Sequence, residues 1–209
     1  MNTTWDDIYK NYEKGGGAWA TLSEDVHPLF MDFISKTKFP KKTALDIGCG
    51  TGKYISYLRR LGFATDGIDS SETAVKMTLA TMPDTKAEIA DMFSFQIPKD
   101  RYDLILSIST IHHGTKDKVA KLIQHIHAAL ADGGSVFITL PDWEHARNWH
   151  TFKDHEMIGP GTYAPINGPE QGLAHSFYSK EEVQELFGIF HTMHMTVDSI
   201  GRWIVTASK

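Results

Sequence analysis

Ala44-Leu45-Asp46-Ile47-Gly48-Cys49-Gly50-Thr51-Gly52 decides the fold: an apolar, strand-like run empties into a turn carrying glycine at every second position. Glycine tolerates positive φ and has no Cβ, so such a loop bends sharply and brings its backbone against a ligand. A second apolar run, residues 63–68, follows and ends in Asp69. That acid stands about twenty residues beyond the first glycine, where a carboxylate accepts hydrogen bonds from ribose hydroxyls. The pairing points to an adenine nucleoside cofactor.

Glycine spacing narrows the choice. The dinucleotide fingerprint G-x-G-x-x-G/A needs a small residue where Lys53 stands, and the phosphate loop G-x-x-x-x-G-K-[ST] needs glycine in place of Ile47 and a hydroxyl residue in place of Tyr54. What remains, D-x-G-x-G-x-G with an acid ending the second strand, resembles motif I and its partner acid in class I S-adenosylmethionine-dependent methyltransferases. The resemblance covers roughly residues 43–140. It implies an α/β, Rossmann-like, doubly wound seven-stranded sheet, mostly parallel with an antiparallel C-terminal strand, and S-adenosylmethionine as cofactor.

The rest of the chain fits that plan. Apolar β-branched runs at residues 43–47, 63–68, 102–108 and 135–140 alternate with helical patterns, as a doubly wound fold requires. Within residues 116–130, Val119, Leu122, Ile123, Ile126 and Leu130 form one apolar stripe, and Asp132-Gly133-Gly134 should end that helix. Ser179 and Glu182 form a capping box that opens a helix reaching Phe187, and two β-rich segments, residues 191–200 and 202–207, meet at Gly201. The expectation is a single domain over residues 1–209. It comprises a helical lid (1–40), a cofactor core (41–140), a substrate-side insert (141–178) and a closing helix and hairpin (179–209).

Bulk properties exclude several classes. The chain has 209 residues, 41% of them hydrophobic, enough for one substantial core, and a formal charge of −5 that offers no basic stripe to a phosphate backbone. Nucleic acid is therefore disfavoured as a partner. Cys49 is the lone cysteine, and no apolar run reaches the roughly eighteen residues of a membrane span. A cytoplasmic setting and no membrane contact are expected, with the oligomeric state left open.

The resemblance also nominates residues. It implies cofactor contacts from Asp46, Gly48, Gly50 and Gly52, from Asp69 and Ser70, from Asp91 and Met92 in the run Ala90-Asp91-Met92-Phe93, and from Ser107 at the end of the fourth strand. Each has a plainer reading: Asp46 as a strand-end turn former, Asp69 as a helix cap, Asp91 as a turn carboxylate. After the fourth strand comes Ser109-Thr110-Ile111-His112-His113-Gly114, at the mouth where open α/β sheets bind ligands. His112 and His113 are the catalytic candidates, as general bases or as residues that only pack the loop. The place lacks both the Pro-Pro-aromatic tetrapeptide of amino-methylating nucleic-acid enzymes and the Pro-Cys nucleophile of cytosine C5 enzymes. A base is optional, because holding an acceptor against a sulfonium methyl can alone supply roughly 7–11 kcal/mol.

Two flanking segments should close the site. Tyr9 and Trp19 lie around Gly15-Gly16-Gly17, and Tyr163, His175 and Tyr178 lie in the aromatic insert; all five are substrate-wall candidates, with docking to the core as the alternative. The insert resembles an uncharacterised bacterial branch near the tellurite-resistance and thiol methyltransferases. No metal is expected, since His145, His150 and His155 recur every five residues without H-E-x-x-H or a cysteine cluster. The expected activity is methyl transfer to a small thiol, chalcogenide or hydroxyl metabolite. The alternatives are wobble-uridine RNA methylation and a non-catalytic, cofactor-binding regulator.

Overall fold

The computed structural model describes residues 3–18, 21, 25–146 and 154–209. The N-terminal part holds α1 (Trp5–Glu13) and α2 (Pro28–Lys36). Strands and helices then alternate: β1 (Thr43–Ile47), α3 (Lys53–Arg60), β2 (Ala64–Asp69), α4 (Glu72–Thr81), β3 (Lys86–Ile89), β4 (Tyr102–Ser107), α5 (Lys116–Ala129) and β5 (Leu130–Pro141). The insert contributes α6 (Trp143–Ala146), β6 (His155–Gly159), β7 (Thr162–Pro165) and β8 (His175–Ser176), and the chain closes with α7 (Lys180–Leu186), β9 (Thr192–Val197) and β10 (Arg202–Ser208).

Seven strands form one sheet in the order β3-β2-β1-β4-β5-β10-β9, parallel throughout except for β10, which runs antiparallel to both neighbours. The chain winds outward from β1 to β3 and then restarts at β4, so the crevice between β1 and β4 is the topological switch point, where ligands bind. Both faces of the sheet are covered, and strand alternation sorts the core into two layers. Leu45, Ile47, Ile105, Val136 and Ile138 meet the α5 stripe of Val119, Leu122, Ile123 and Ile126 on one face. Ala44, Leu104, Leu106 and Phe137 meet Phe30 and Ile34 of α2 and Tyr54 and Leu58 of α3 on the other.

The seven-stranded plan with its antiparallel C-terminal strand matches the expectation. Several details differ. Strand β3 escapes periodicity because it is a four-residue edge strand, Lys86-Ala87-Glu88-Ile89, with mostly exposed side chains. Helix α5 stops at Ala129 rather than at the glycines: Leu130 is already extended (ψ 137°) and pairs with Tyr102. The register then shifts across Asp132-Gly133-Gly134 before Ser135 pairs with Leu104. The insert carries its own three-stranded sheet, β6-β7-β8, whose short, irregular strands have no clean alternation.

Helix α1 sits on the C-terminal side of the sheet for a specific reason. Thr4 and Asp7 form its capping box, and Asp6 reaches the start of α4, accepting hydrogen bonds from Ser71 Oγ and the Thr73 N–H, both at 2.9 Å. Lys10 pairs with the same carboxylate at 2.8 Å. The Lys10 contact and the Thr73 N–H together hold the Asp6 carboxyl well below the usual carboxylate range. One side chain thereby docks α1 and supplies a negative group at a helix N-terminus.

Candidate active site

The glycine turn adopts left-handed geometry at all three alternating positions, with φ of 78° at Gly48, 54° at Gly50 and 83° at Gly52. A Cβ on Gly48 would stand 2.1 Å from the Thr110 side chain, so glycine there lets the loop approach the residues after β4. Asp69 holds the turn from the next strand: one carboxylate oxygen accepts from the Gly50 N–H and the other from the Ser71 N–H, each at 2.9 Å. Burial pushes its pKa up, against the backbone hydrogen bonds that favour the ionised form.

Asp46, at the buried end of β1, has a carboxylate oxygen with no hydrogen-bond partner among the described residues. Burial first, and the charge of Asp69 second, push its pKa up to about 8, with Lys53 opposing. A buried, unsatisfied carboxylate costs stability unless a donor or cation meets it. It is suited to a ligand's ammonium group.

A cavity of about 310 Å3 opens beside the turn, near the lower end of the range for ligand pockets. Gly48, Asp69 and Ser70 form one wall, and Asp91, Met92 and Phe93 a second. Ser109, Thr110, His113 and Gly114 form a third, while Trp5 and Tyr9 of α1 cover it. Asp91 folds its loop back as an Asx turn, accepting from the Phe93 N–H at 3.0 Å. Of the cofactor candidates, Gly48, Asp69, Ser70, Asp91 and Met92 border the cavity. Asp46, Gly50, Gly52 and Ser107 stand outside its walls, and Ser107 instead donates its hydroxyl to the Ile47 carbonyl at 3.1 Å.

His113 borders the cavity and His112 does not. Trp5 of α1 packs on the His113 ring at 4.4 Å between centroids. Burial first, then neighbouring histidines, hold both imidazoles well below the ordinary histidine range, so both are neutral at pH 7. Ser109, two residues past β4, takes φ of 57°, a costly conformation away from glycine. It is held there because its N–H donates to Thr139 Oγ1 at 2.7 Å and its hydroxyl accepts from Arg202 Nη1. Neither Ser109 nor Arg202 carried a sequence signal.

Among the substrate-wall candidates, Tyr9 lines the cavity. Tyr163 stacks on Trp143 at 4.7 Å and packs against Phe177, inside the insert's own cluster. Tyr178 is buried in the main core. His175 meets His113 at 4.5 Å between ring centroids, because the Ser176 N–H on β8 donates to the His112 carbonyl at 2.9 Å. Trp19 and His150 lie outside the described residues. No metal was expected, yet among the described residues His112, His113 and His175 form a cluster whose ligand atoms could hold one.

A family model described as a methyltransferase domain matches residues 20–188. The chain is 26% identical over 161 residues to the tRNA (carboxymethyluridine(34)-5-O)-methyltransferase of Saccharomyces cerevisiae, covering 73% of this chain and 55% of that protein. It is also 26% identical over 144 residues to the ubiquinone biosynthesis O-methyltransferase of Hydrogenovibrio crunogenus, covering 66% and 55%. The chain thus spans about half the length of these two relatives. The PH0226 protein from Pyrococcus horikoshii shares the fold at a TM-score of 0.75 and 14% identity, covering 95% of this chain and 98% of that one. The Burkholderia thailandensis 1,6-didemethyltoxoflavin-N1-methyltransferase, solved with S-adenosylhomocysteine, does so at 0.66 and 18%, covering 97% and 85%. The family match, the glycine turn with its two acids and the cavity at the switch point of the seven-stranded sheet agree, and the chain belongs to the methyltransferase domain family.

Proposed function

We propose that this domain transfers the methyl group of S-adenosylmethionine to a small nucleophile: a thiol, a chalcogenide or a hydroxyl-bearing metabolite. The observation that carries the reading is the cavity itself: about 310 Å3, acidic at Asp69 and Asp91, apolar at Trp5, Tyr9, Met92 and Phe93, and roofed by α1. When bound, the cofactor supplies an electrophilic methyl on sulfur. The chain's own residues do the rest. Asp69 accepts from ribose hydroxyls, Asp91 and Met92 meet the adenine amino group and ring, and Asp46 attracts the methionine ammonium. His113, neutral at pH 7, stands at the acceptor end, and Trp5 and Tyr9 exclude water there.

Lys118 is the one cation among the described residues that line the cavity, and the whole chain carries a net charge of −5. Both weigh against a polynucleotide backbone in the site. The likeness to a yeast tRNA methyltransferase supports RNA as the rival substrate. The buried Cys49 thiol, pushed well above its ordinary pKa and lacking any cysteine partner, suits a cytoplasmic setting. Among the described residues no helix is long and apolar enough to cross a membrane.

The test is a methyl-release screen with labelled S-adenosylmethionine over thiols, selenite, tellurite, phenols and bulk transfer RNA. The expected result is turnover with a small molecule. Turnover confined to RNA would replace this reading with the rival one.

A further inference from the structure

The structure gathers three imidazoles that the sequence scatters. His112 and His113 come from the turn after β4 and His175 from β8. Ring centroids are 4.0 Å apart for His112 and His113 and 4.5 Å for His113 and His175. His175 Nδ1 faces the Leu173 carbonyl at 2.9 Å, and its Nε2 faces the buried Glu170 carboxylate at 3.0 Å. His113 faces the Ala174 and Ser109 carbonyls at 3.3 and 3.2 Å. The buried Nδ1 of His112 has no hydrogen-bond partner among the described residues.

An imidazole offers a metal one ring nitrogen through its lone pair. One divalent cation would satisfy the lone pairs together, and Glu170 supplies a compensating negative charge.

We propose that His112, His113 and His175 bind a divalent transition metal, zinc or a similar nitrogen-preferring ion, with an open position toward the cavity through His113. The ligand nitrogens lie within 4.8 Å of one another. Zinc–imidazole bonds of about 2.0–2.1 Å place ligand nitrogens roughly 3.4 Å apart, so the rings draw together by about 1 Å on binding. Glu170 acts as the outer-shell carboxylate that fixes a ligating histidine. The open position would take the acceptor's thiol or hydroxyl. There the metal would lower the acceptor's pKa, so that its S–H or O–H proton would pass to water at the cavity mouth. This last role rests on the methyl-transfer reading; the metal site rests on the histidine geometry alone.

The test titrates the tag-free full chain, stripped by a chelator, with Zn2+ and Co2+, and measures S-adenosylhomocysteine binding and melting in the same samples. Expected are one retained equivalent of Zn2+ and strong visible absorption of low-coordinate Co2+. His112→Gln and His175→Gln should abolish stoichiometric binding, and Glu170→Gln should weaken it about 10–100-fold. No retained equivalent, or binding undiminished in the histidine variants, overturns the site. Should those variants fail to fold, X-ray absorption of the wild-type zinc form decides, and fewer than three imidazole ligands is equally contrary. Loss of the methyltransferase reading would show separately, as absent S-adenosylhomocysteine binding in a chain that still holds metal.

Discussion

At the scale of single residues, Asp46 is the most informative position. Its folded-state pKa of about 8 stands above the ordinary 3.8, so between those values the folded chain binds a proton that the unfolded chain releases. Stability of the cofactor-free protein is therefore greatest below about pH 4 as far as Asp46 is concerned, and is lost as pH rises through about 8. Asp46→Asn should flatten that decline, seen as a smaller fall in melting temperature between pH 5 and 9. The same variant should bind S-adenosylhomocysteine roughly 10–100-fold more weakly, because it removes a charge-assisted contact worth about 1.5–3 kcal/mol. His113 answers a different question. His113→Asn should cut turnover by about 10²–10⁴-fold with cofactor affinity nearly unchanged, a kcat loss rather than a binding loss. A variant that melts early yet turns over normally would reduce His113 to a packing residue.

At the scale of elements, α1 is clipped over the cavity by one carboxylate. Asp6 accepts from two groups at the start of α4, while Trp5 and Tyr9 meet the cavity beneath. Asp6→Ala should release the helix, speeding amide exchange in α1 and raising KM more than it alters global melting. Unchanged exchange would mean that apolar packing alone holds α1. Legibility in the sequence divides along the same line. The β1 turn, the Asp69 strand end, the α5 stripe and the Ser179 capping box were readable because each is a local pattern of period, glycine or cap. Edge strand β3, the insert's sheet, the Asp6 clip and the strained Ser109 were not. Each depends on partners distant in sequence, such as Thr139 and Arg202 for Ser109. Tyr163 and His175 show the same limit: composition marked the insert as aromatic, but only the pairing of β8 with the His112 turn brings the His175 ring against His113 while Tyr163 stays in the insert's own cluster.

At the scale of the whole molecule, a seven-stranded sheet places its switch point, two acids and helix α1 around one cavity, and the account stands on that cavity being the cofactor site. Isothermal titration of S-adenosylhomocysteine into wild type and Asp69→Ala, with NAD and ATP as controls, tests this most directly. The account predicts micromolar binding to wild type, a loss of roughly ten- to hundredfold in a still-folded Asp69→Ala, and no comparable binding of NAD or ATP. Tight NAD binding, or an affinity for S-adenosylhomocysteine indifferent to Asp69, would contradict it.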